Sequence, residues 1–361
     1  MNLLSEFYKN MIQESCTSNE WITEIARTKK VDKELVQKLI RALMLVEGLS
    51  ESTLKFVFKG GTALMLLLNS TKRLSIDIDI IISGQIENLK EELSEIAAKK
   101  KFTRAEEQHR NAYSGIEKAH YKFYFPNSLK ANDEEFVLLD ILFEDIHYNN
   151  LVSTPILSTF VTHEGEIIQT TTPDFNNIMG DKLTAFAPNT TGIPYYKGEK
   201  TMGQEIIKQL YDIGNIFDRI DDVAVVSSVF SDFALVELQY RNMGEDVNIV
   251  LEDIIENCLT ISLRQPVGNA NFEVLLSGLK QITSYIFSET YHIEKAIVHA
   301  ARTAYLVSLM QTGAAIERYS IKTNMTTWQI EQPNNTKLNK LKKTNPEAFY
   351  YWFIYYSIKR R

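Results

Sequence analysis

Two acidic residues separated by one position, Asp77 and Asp79, stand in the segment Arg73-Leu74-Ser75-Ile76-Asp77-Ile78-Asp79-Ile80. On an extended strand, side chains at i and i+2 share a face, so both carboxylates point one way and the three isoleucines point the other. Upstream, the apolar run Phe56-Val57-Phe58 leads through Lys59 into Gly60-Gly61-Thr62, with a helix expected over 63–68. A strand that ends in small residues at a helix start offers backbone N–H groups to an anion. Gly60 and Gly61 permit close backbone approach, and Thr62 can give its hydroxyl to a phosphate oxygen while capping the helix. Two carboxylates beside a phosphate cradle are what divalent-metal phosphoryl chemistry requires, because the ions neutralise phosphate charge and activate an attacking hydroxyl. Asp-x-Asp alone also fits a solvated acidic edge strand; joined to Gly-Gly-Thr and to Arg73-x-Ser75, it reads as a site. Ser75 shares the face of the two acids. Arg73 lies on the same alternation and can pair with a carboxylate or with phosphate.

These residues need a scaffold. A length of 361 residues suggests about two domains, on a prior of ~150 residues each. Asp32 reads as a helix cap, Leu35, Leu39 and Leu43 recur at i+4 spacing, and Gly48 sits where that helix would stop. From Phe56 onward strands alternate with helices. Ser83-Gly84 marks a turn, 86–101 reads as an amphipathic helix, and 121–125 and 136–143 read as strands around a polar turn at 127–133. A further strand is expected at 166–170. From Pro173 the spacing turns helical, over 174–186 and 204–219, and stays so beyond 220. The Gly-, Pro- and Asn-rich loop at 188–198 is too long for an idle connector. The organisation is therefore α+β: an α/β domain with N-terminal helices over 1–172 and an all-α domain over 173–361.

Hydrophobic content of 44% and charged content of 24% are those of an ordinary folded domain. No uninterrupted apolar run approaches the ~18 residues of a membrane span, and Met1 to Glu6 lacks the pattern of a secretory signal. Cys16 and Cys258 are far apart and lack metal-ligand spacing, which suits a reducing cytoplasm. A net charge of −7 argues against broad, sequence-independent nucleic-acid binding while leaving room for a local basic groove. One basic stretch exists: Lys337, Lys340, Lys342, Lys343, Lys359, Arg360 and Arg361 against the single acid Glu347. The six histidines show no metal-like clustering; His163 beside Glu164 and Glu166 fits a solvated loop.

The Gly-Gly-Thr and Arg-x-Ser-x-Asp-x-Asp elements, with weaker ones downstream, resemble the polymerase β-type nucleotidyltransferase superfamily. Within it the similarity is to the AbiEii/AbiGii-like toxins, relatives of the mycobacterial MenT toxins, which share the long spacing from Thr62 to Asp77. The resemblance spans roughly 55–215 and implies a mixed sheet flanked by helices, followed by an all-α domain. It implies Mg²⁺ or Mn²⁺ held by Asp77 and Asp79 and a third carboxylate from a neighbouring strand. Asp140, in Val137-Leu138-Leu139-Asp140-Ile141-Leu142-Phe143, is the candidate, since a charge among apolar residues is costly unless paired or metal-bound. Glu144 and Asp145 stay open as alternatives. Lys182 in Gly180-Asp181-Lys182-Leu183 matches a family lysine suited to neutralising triphosphate charge. Asp212 in Leu210-Tyr211-Asp212-Ile213 matches a further element, although Gln209 stands where the family carries an acid. The implied reaction moves a nucleoside monophosphate from an NTP to an acceptor with release of pyrophosphate. The implied setting is a type IV toxin acting on tRNA, opposed by a separately encoded antitoxin. A small-molecule or protein acceptor, or nucleotide binding without turnover, are the competing readings.

At the C-terminus, Asn345 and Pro346 open a helix. On it Phe349, Trp352, Phe353 and Tyr356 form a stripe, with Tyr350, Tyr351 and Tyr355 on other faces. Beside the lysines this could stack RNA bases. Burial in a core is the stronger reading for aromatic residues at helical spacing.

Overall fold

The computed structural model describes residues 11–69, 72–84, 86–108, 117–264 and 268–359. The first residues read for a signal, and Arg360 and Arg361 of the basic end, lie outside these. The chain forms two compact units: Met1–Asp174 with Ser284–Glu289, and Phe175–Thr283 with Thr290–Arg361.

In the first unit, β1 (Met11–Ile12), α1 (Asn19–Lys29) and α2 (Lys33–Glu51) precede β2 (Val57–Lys59), α3 (Gly60–Leu67), β3 (Ile78–Ile82) and α4 (Leu89–Lys99). Then follow β4 (Arg104–Glu107), β5 (Glu117–Pro126), β6 (Glu134–Phe143), β7 (Leu151–Pro155), β8 (His163–Glu164) and β9 (Gln169–Pro173). Five strands make one mixed sheet in the order β2-β3-β6-β5-β4. β3 and β6 run parallel and every other neighbouring pair antiparallel. One face of the sheet enters the main core, as period-two alternation requires, while Val57 and Ile81 are buried on the other. Ile78, Ile80, Ile82, Val137, Leu139, Ile141, Phe123 and Phe125 all enter one core with Leu39, Leu43 and Val46 of α2. Asp32 caps α2, its Oδ1 accepting from the Glu34 and Leu35 amides at 2.8 and 3.1 Å.

Several boundaries differ from the sequence expectation. α2 does not stop at Gly48 but runs on to Glu51, because that glycine faces α4 inside the helix. A Cβ there would lie 2.8 Å from Ile96 Cγ2 and from Lys100 Cγ. The close approach lets Lys100 reach Glu47 at 2.6 Å and Glu51 at 2.9 Å, all three side chains being buried. The strand expected at 166–170 lies at Gln169–Pro173, paired with β7. His163 is not in a solvated loop, since β8 pairs with β1 and sets His163 opposite Ile12.

Among the described residues the second unit is mostly helical, with one hairpin and an irregular stretch over 314–335. It comprises α5 (Phe175–Ala185), the hairpin β10 (Tyr196–Lys197) and β11 (Lys200–Thr201), α6 (Gly203–Ile216), α7 (Val223–Tyr240) and α8 (Asn248–Ser262). α9 (Ala270–Ile282), α10 (Ile293–Thr312), α11 (Leu341–Thr344) and α12 (Pro346–Lys359) complete it. α5 packs against α6 and α7, and α10 lies among α6, α8 and α12. Among the described residues α7 is long and apolar enough, by length and composition, to cross a membrane. It carries Asp232 and Glu237, is capped by Asp222, and packs on α5 and α10. Phe349, Tyr350, Tyr351, Trp352 and Tyr355 of α12 are buried and Phe353 and Tyr356 are half-buried, so most of the aromatic helix is core.

The loop after α5 is held from two sides. The buried Asp253 carboxylate accepts from the amides of Asn189 and Thr190 at 2.8 and 2.9 Å, and from the Asn189 amide group and the Thr190 hydroxyl. Arg241 donates to the carbonyls of Thr190, Thr191 and Gly192. The loop is thus a fixed element rather than a tether.

α6 and α10 meet at a glycine. A Cβ on Gly214 would lie 2.0 Å from the His299 ring, whose Nδ1 bonds to the Tyr291 hydroxyl at 3.1 Å. Burial, aided by the Arg302 and Lys295 charges, lowers the His299 pKa to about 3. The unfolded chain therefore binds a proton on this imidazole that the folded one refuses, between the ordinary value of 6.5 and about 3. Stability from this residue is present above that window and is lost as pH falls through it. His299→Gln should flatten the fall of unfolding free energy across this range by up to one proton, ~1.4 kcal/mol per pH unit. Urea titrations at a series of pH values measure it, and an unchanged slope would contradict the assignment.

Candidate functional site

Register brings together residues that lie far apart in sequence. Lys59 is paired with Asp79 across β2 and β3, Asp79 with Asp140 across β3 and β6, and Asp140 with His120 across β6 and β5. Paired positions on adjacent strands point to the same face, so these four side chains form one row opposite the buried face. Asp79 and Asp140 are half-buried, and Asp77 is exposed just before β3 begins. Asp140 Oδ1 lies 2.6 Å from His120 Nδ1. At the other end, the Lys59 ammonium lies 6.0 Å from the centre of the Tyr148 ring. Glu144 and Asp145 follow the end of β6, out of the row.

The Gly-Gly-Thr element is built against the acids. Gly60 has φ +79°, and a Cβ on it would lie 2.2 Å from Asp79 Oδ2. The carboxylate thus occupies the space a side chain would need, at the helix end that favours negative charge. A Cβ on Gly61 would lie 2.6 Å from Ser75 Oγ and 2.7 Å from an Arg73 guanidinium nitrogen. Both glycines therefore admit the downstream motif as close neighbours.

Thr62 differs from the expectation. α3 begins at Gly60 with Lys59 as its N-cap, so Thr62 lies within the first turn and does not cap it. Its buried hydroxyl donates to the Asp77 carbonyl at 2.7 Å, tying the helix to the entry of the acidic strand. Arg73 is buried and donates to the Leu74 carbonyl at 3.2 Å. The returning segment Ser284–Glu289 fixes the same entry. The Leu74 amide donates to Tyr285 O, and the Ser288 hydroxyl to Lys72 O, each at 2.8 Å.

The second unit carries the remaining two candidates as a pair. Lys182 of α5 and Asp212 of α6 are buried and 2.9 Å apart, and the Lys182 ammonium also donates to Gln209 Oε1 at 3.0 Å. Gln209, noted in the sequence only as a departure, thus helps hold the lysine. A neutral amide leaves the pair balanced at one charge of each sign, where an acid would leave an excess negative charge.

A pair of hard carboxylate oxygens suits Mg²⁺ or Mn²⁺. Among the described residues no three His, Cys, Asp or Glu side chains are gathered closely enough to hold an ion alone. His120 is the residue that motif reading passed over. Its signal was present: Lys118, His120 and Lys122 alternate with buried Ala119, Tyr121 and Phe123, so His120 had to share the face of the acids.

Two outcomes follow for variants. Gly60→Ala forces an L side chain into the left-handed region and onto Asp79, costing at least ~1–2 kcal/mol. Gly61→Ala has no left-handed backbone to strain and should cost less, although it meets Ser75 and Arg73; urea unfolding of both variants would refute this if the order reversed. Lys182→Met removes the buried cation 2.9 Å from Asp212 and should cost ~3–5 kcal/mol, whereas Lys182→Met with Asp212→Leu should recover most of that loss. A double-mutant cycle that is additive would sink the coupling.

The family described as "Nucleotidyl transferase AbiEii toxin, Type IV TA system" matches residues 43–276. No curated protein matches the chain significantly. Among solved structures, JHP933 from Helicobacter pylori is similar at 13% identity and TM-score 0.42, covering 78% of this chain and 96% of that one. MenT4, a nucleotidyltransferase toxin from Mycobacterium tuberculosis, is similar at 14% identity and TM-score 0.45, covering 76% and 97%. The family match runs from α2 to α9, over well over half the chain and across the whole row of site residues, and the protein belongs to the AbiEii nucleotidyltransferase toxin family.

Proposed function

We propose that this chain transfers a nucleoside monophosphate from an NTP to a hydroxyl of RNA, with tRNA as the foremost acceptor. The observation that carries the reading is the adjacent pair Asp79 and Asp140 on the face of the sheet opposite the core, with Asp79 seated against Gly60. The acceptor oxygen bonds to the α-phosphorus, the bond from that phosphorus to the β-bridging oxygen breaks, and pyrophosphate leaves with the electron pair. Asp79 and Asp140, with Asp77 at the entry to the same strand, would hold Mg²⁺ or Mn²⁺ together with oxygens of the nucleotide phosphates and water, and the ion when bound offsets the triphosphate charge and lowers the barrier to attack.

The chain's own groups do the rest. Asp140 accepts the hydrogen bond of the acceptor hydroxyl and helps draw off its proton. Gly60 and Gly61 open the backbone to the phosphates beside Thr62, with Ser75 and Arg73 lining the same wall. By the family resemblance, Lys182, paired with Asp212 and Gln209, is the cation for the departing pyrophosphate. Lys118 and Lys122, on the same face of β5 as His120, supply cations for a polyanionic acceptor despite the acidic net charge. The setting is a cytoplasmic toxin held in check by a separately encoded antitoxin; the two cysteines are buried and unpaired, as a reducing compartment allows.

The test is to incubate the protein with each α-labelled NTP, Mg²⁺ and total tRNA. Label should pass to tRNA, and Asp79→Ala should reduce the rate by ~10²-fold or more, the several kcal/mol of a lost metal ligand. Label appearing on protein or on a small molecule would move the acceptor to a different class. No transfer to any acceptor would end the reading.

A further inference from the structure

We propose that His120 is a positioning residue for this centre, holding Asp140 in the rotamer that the reaction uses. The inference rests on the reading of Asp79 and Asp140 as the metal-binding pair. His120 is the side-chain partner of Asp140 among the described residues, at 2.6 Å from Nδ1 to Oδ1. A carboxylate can only accept, so Nδ1 carries the hydrogen of this bond. One oxygen of Asp140 is thereby engaged and the ion is assigned to the second.

The need for such a brace follows from the row itself. Asp79 is the register partner of Asp140, and like charges placed opposite each other on adjacent strands repel. Left alone, Asp140 would relieve that repulsion by turning its carboxylate away from Asp79. Its flanking neighbours on the same face of β6, Leu138 and Leu142, are apolar and offer it no hydrogen bond. On β5, the Lys122 ammonium lies over the Phe136 ring, 4.3 Å from its centre, rather than at the Asp140 carboxylate. His120 alone stands at the register position from which an imidazole reaches the carboxylate. Partners that orient a metal ligand in this way are typically worth ~10–100-fold in affinity or activity.

Three variants separate positioning from bulk structure. His120→Asn places an amide N–H close to where Nδ1 stood, His120→Gln carries its amide past that point, and His120→Ala removes it. Mn²⁺ binding would be followed by the electron paramagnetic resonance of free Mn²⁺, with α,β-methylene ATP and its CTP counterpart as the nucleotide probes. Turnover constants would be taken in parallel.

The Ala and Gln variants should bind Mn²⁺ ~10-fold more weakly and lose kcat to a similar degree with little change in KM for the NTP. The Asn variant should recover most of both. Wild-type Mn²⁺ affinity in the Ala variant would overturn the proposal, and so would an Asn variant no better than Gln, a comparison that stands even if the Ala variant fails to fold. Asp79→Ala is the companion measurement. If it matches the wild type in Mn²⁺ binding, the metal-site reading falls and the role of His120 falls with it. If Asp79→Ala loses binding while the His120 variants do not, only the positioning role is lost.

Discussion

Two carboxylates on neighbouring strands set the terms for the rest of the first unit. Asp79 and Asp140 are register partners, half-buried, and of the same charge, an arrangement that a sheet ordinarily avoids. Every surrounding feature offsets it. Lys59 flanks the pair on one side and His120 on the other. The start of α3 lies against Asp79, because Gly60 leaves room for it. The opposite face of β3 and β6 is packed with Ile78, Ile80, Leu139 and Ile141, so the strands cannot separate to relieve the repulsion without opening the core. The result is a rigid frame around a local excess of negative charge, which is what a site for a charged cofactor needs before the cofactor arrives.

The second unit solves a different problem, the placement of polar groups inside a helical core. Lys182 and Asp212 neutralise each other there, and Gln209 takes a further hydrogen of the ammonium. Asp253 and Arg241 do for the 188–198 loop what backbone pairing does for a strand, meeting its amides and carbonyls in turn. Burial raises the Asp253 carboxyl, and the bonds from Thr190 and Asn189 oppose that rise. The loop therefore holds its shape through charge and hydrogen bonding as well as the burial of Tyr195.

Much of this was legible in the chain. The alternation around Asp77 and Asp79 and the apolar run around Asp140 marked two strands with one buried face, because period-two patterning leaves few other solutions. Asp32 announced its helix, since a cap is a local interaction between neighbours in sequence, whereas Asn345 stands at the expected helix start but donates its side-chain amide to the distant Glu294 carbonyl. What escaped notice was pairing at long range. His120 was one histidine among six until β5 was set in register against β6. Gly48 looked like a helix end because its real reason, the approach of Lys100, lies in another helix. Thr62 looked like a cap because its partner carbonyl belongs to Asp77, fifteen residues away. The aromatic helix at the C-terminus could be read as a binding face or a core, and burial decided for the core.

The return of Ser284–Glu289 to the first unit bears on how the chain is made. The entry to the acidic strand leans on Tyr285 and Ser288, which follow Asp174 by more than a hundred positions. On the ribosome those residues emerge after α5 to α9 have been synthesised, a lag of roughly 5–20 s at ordinary elongation rates. Until then the segment at Lys72 and Leu74 lacks its final partners. Vectorial synthesis thus leaves the acidic strand incompletely braced until most of the chain has been translated.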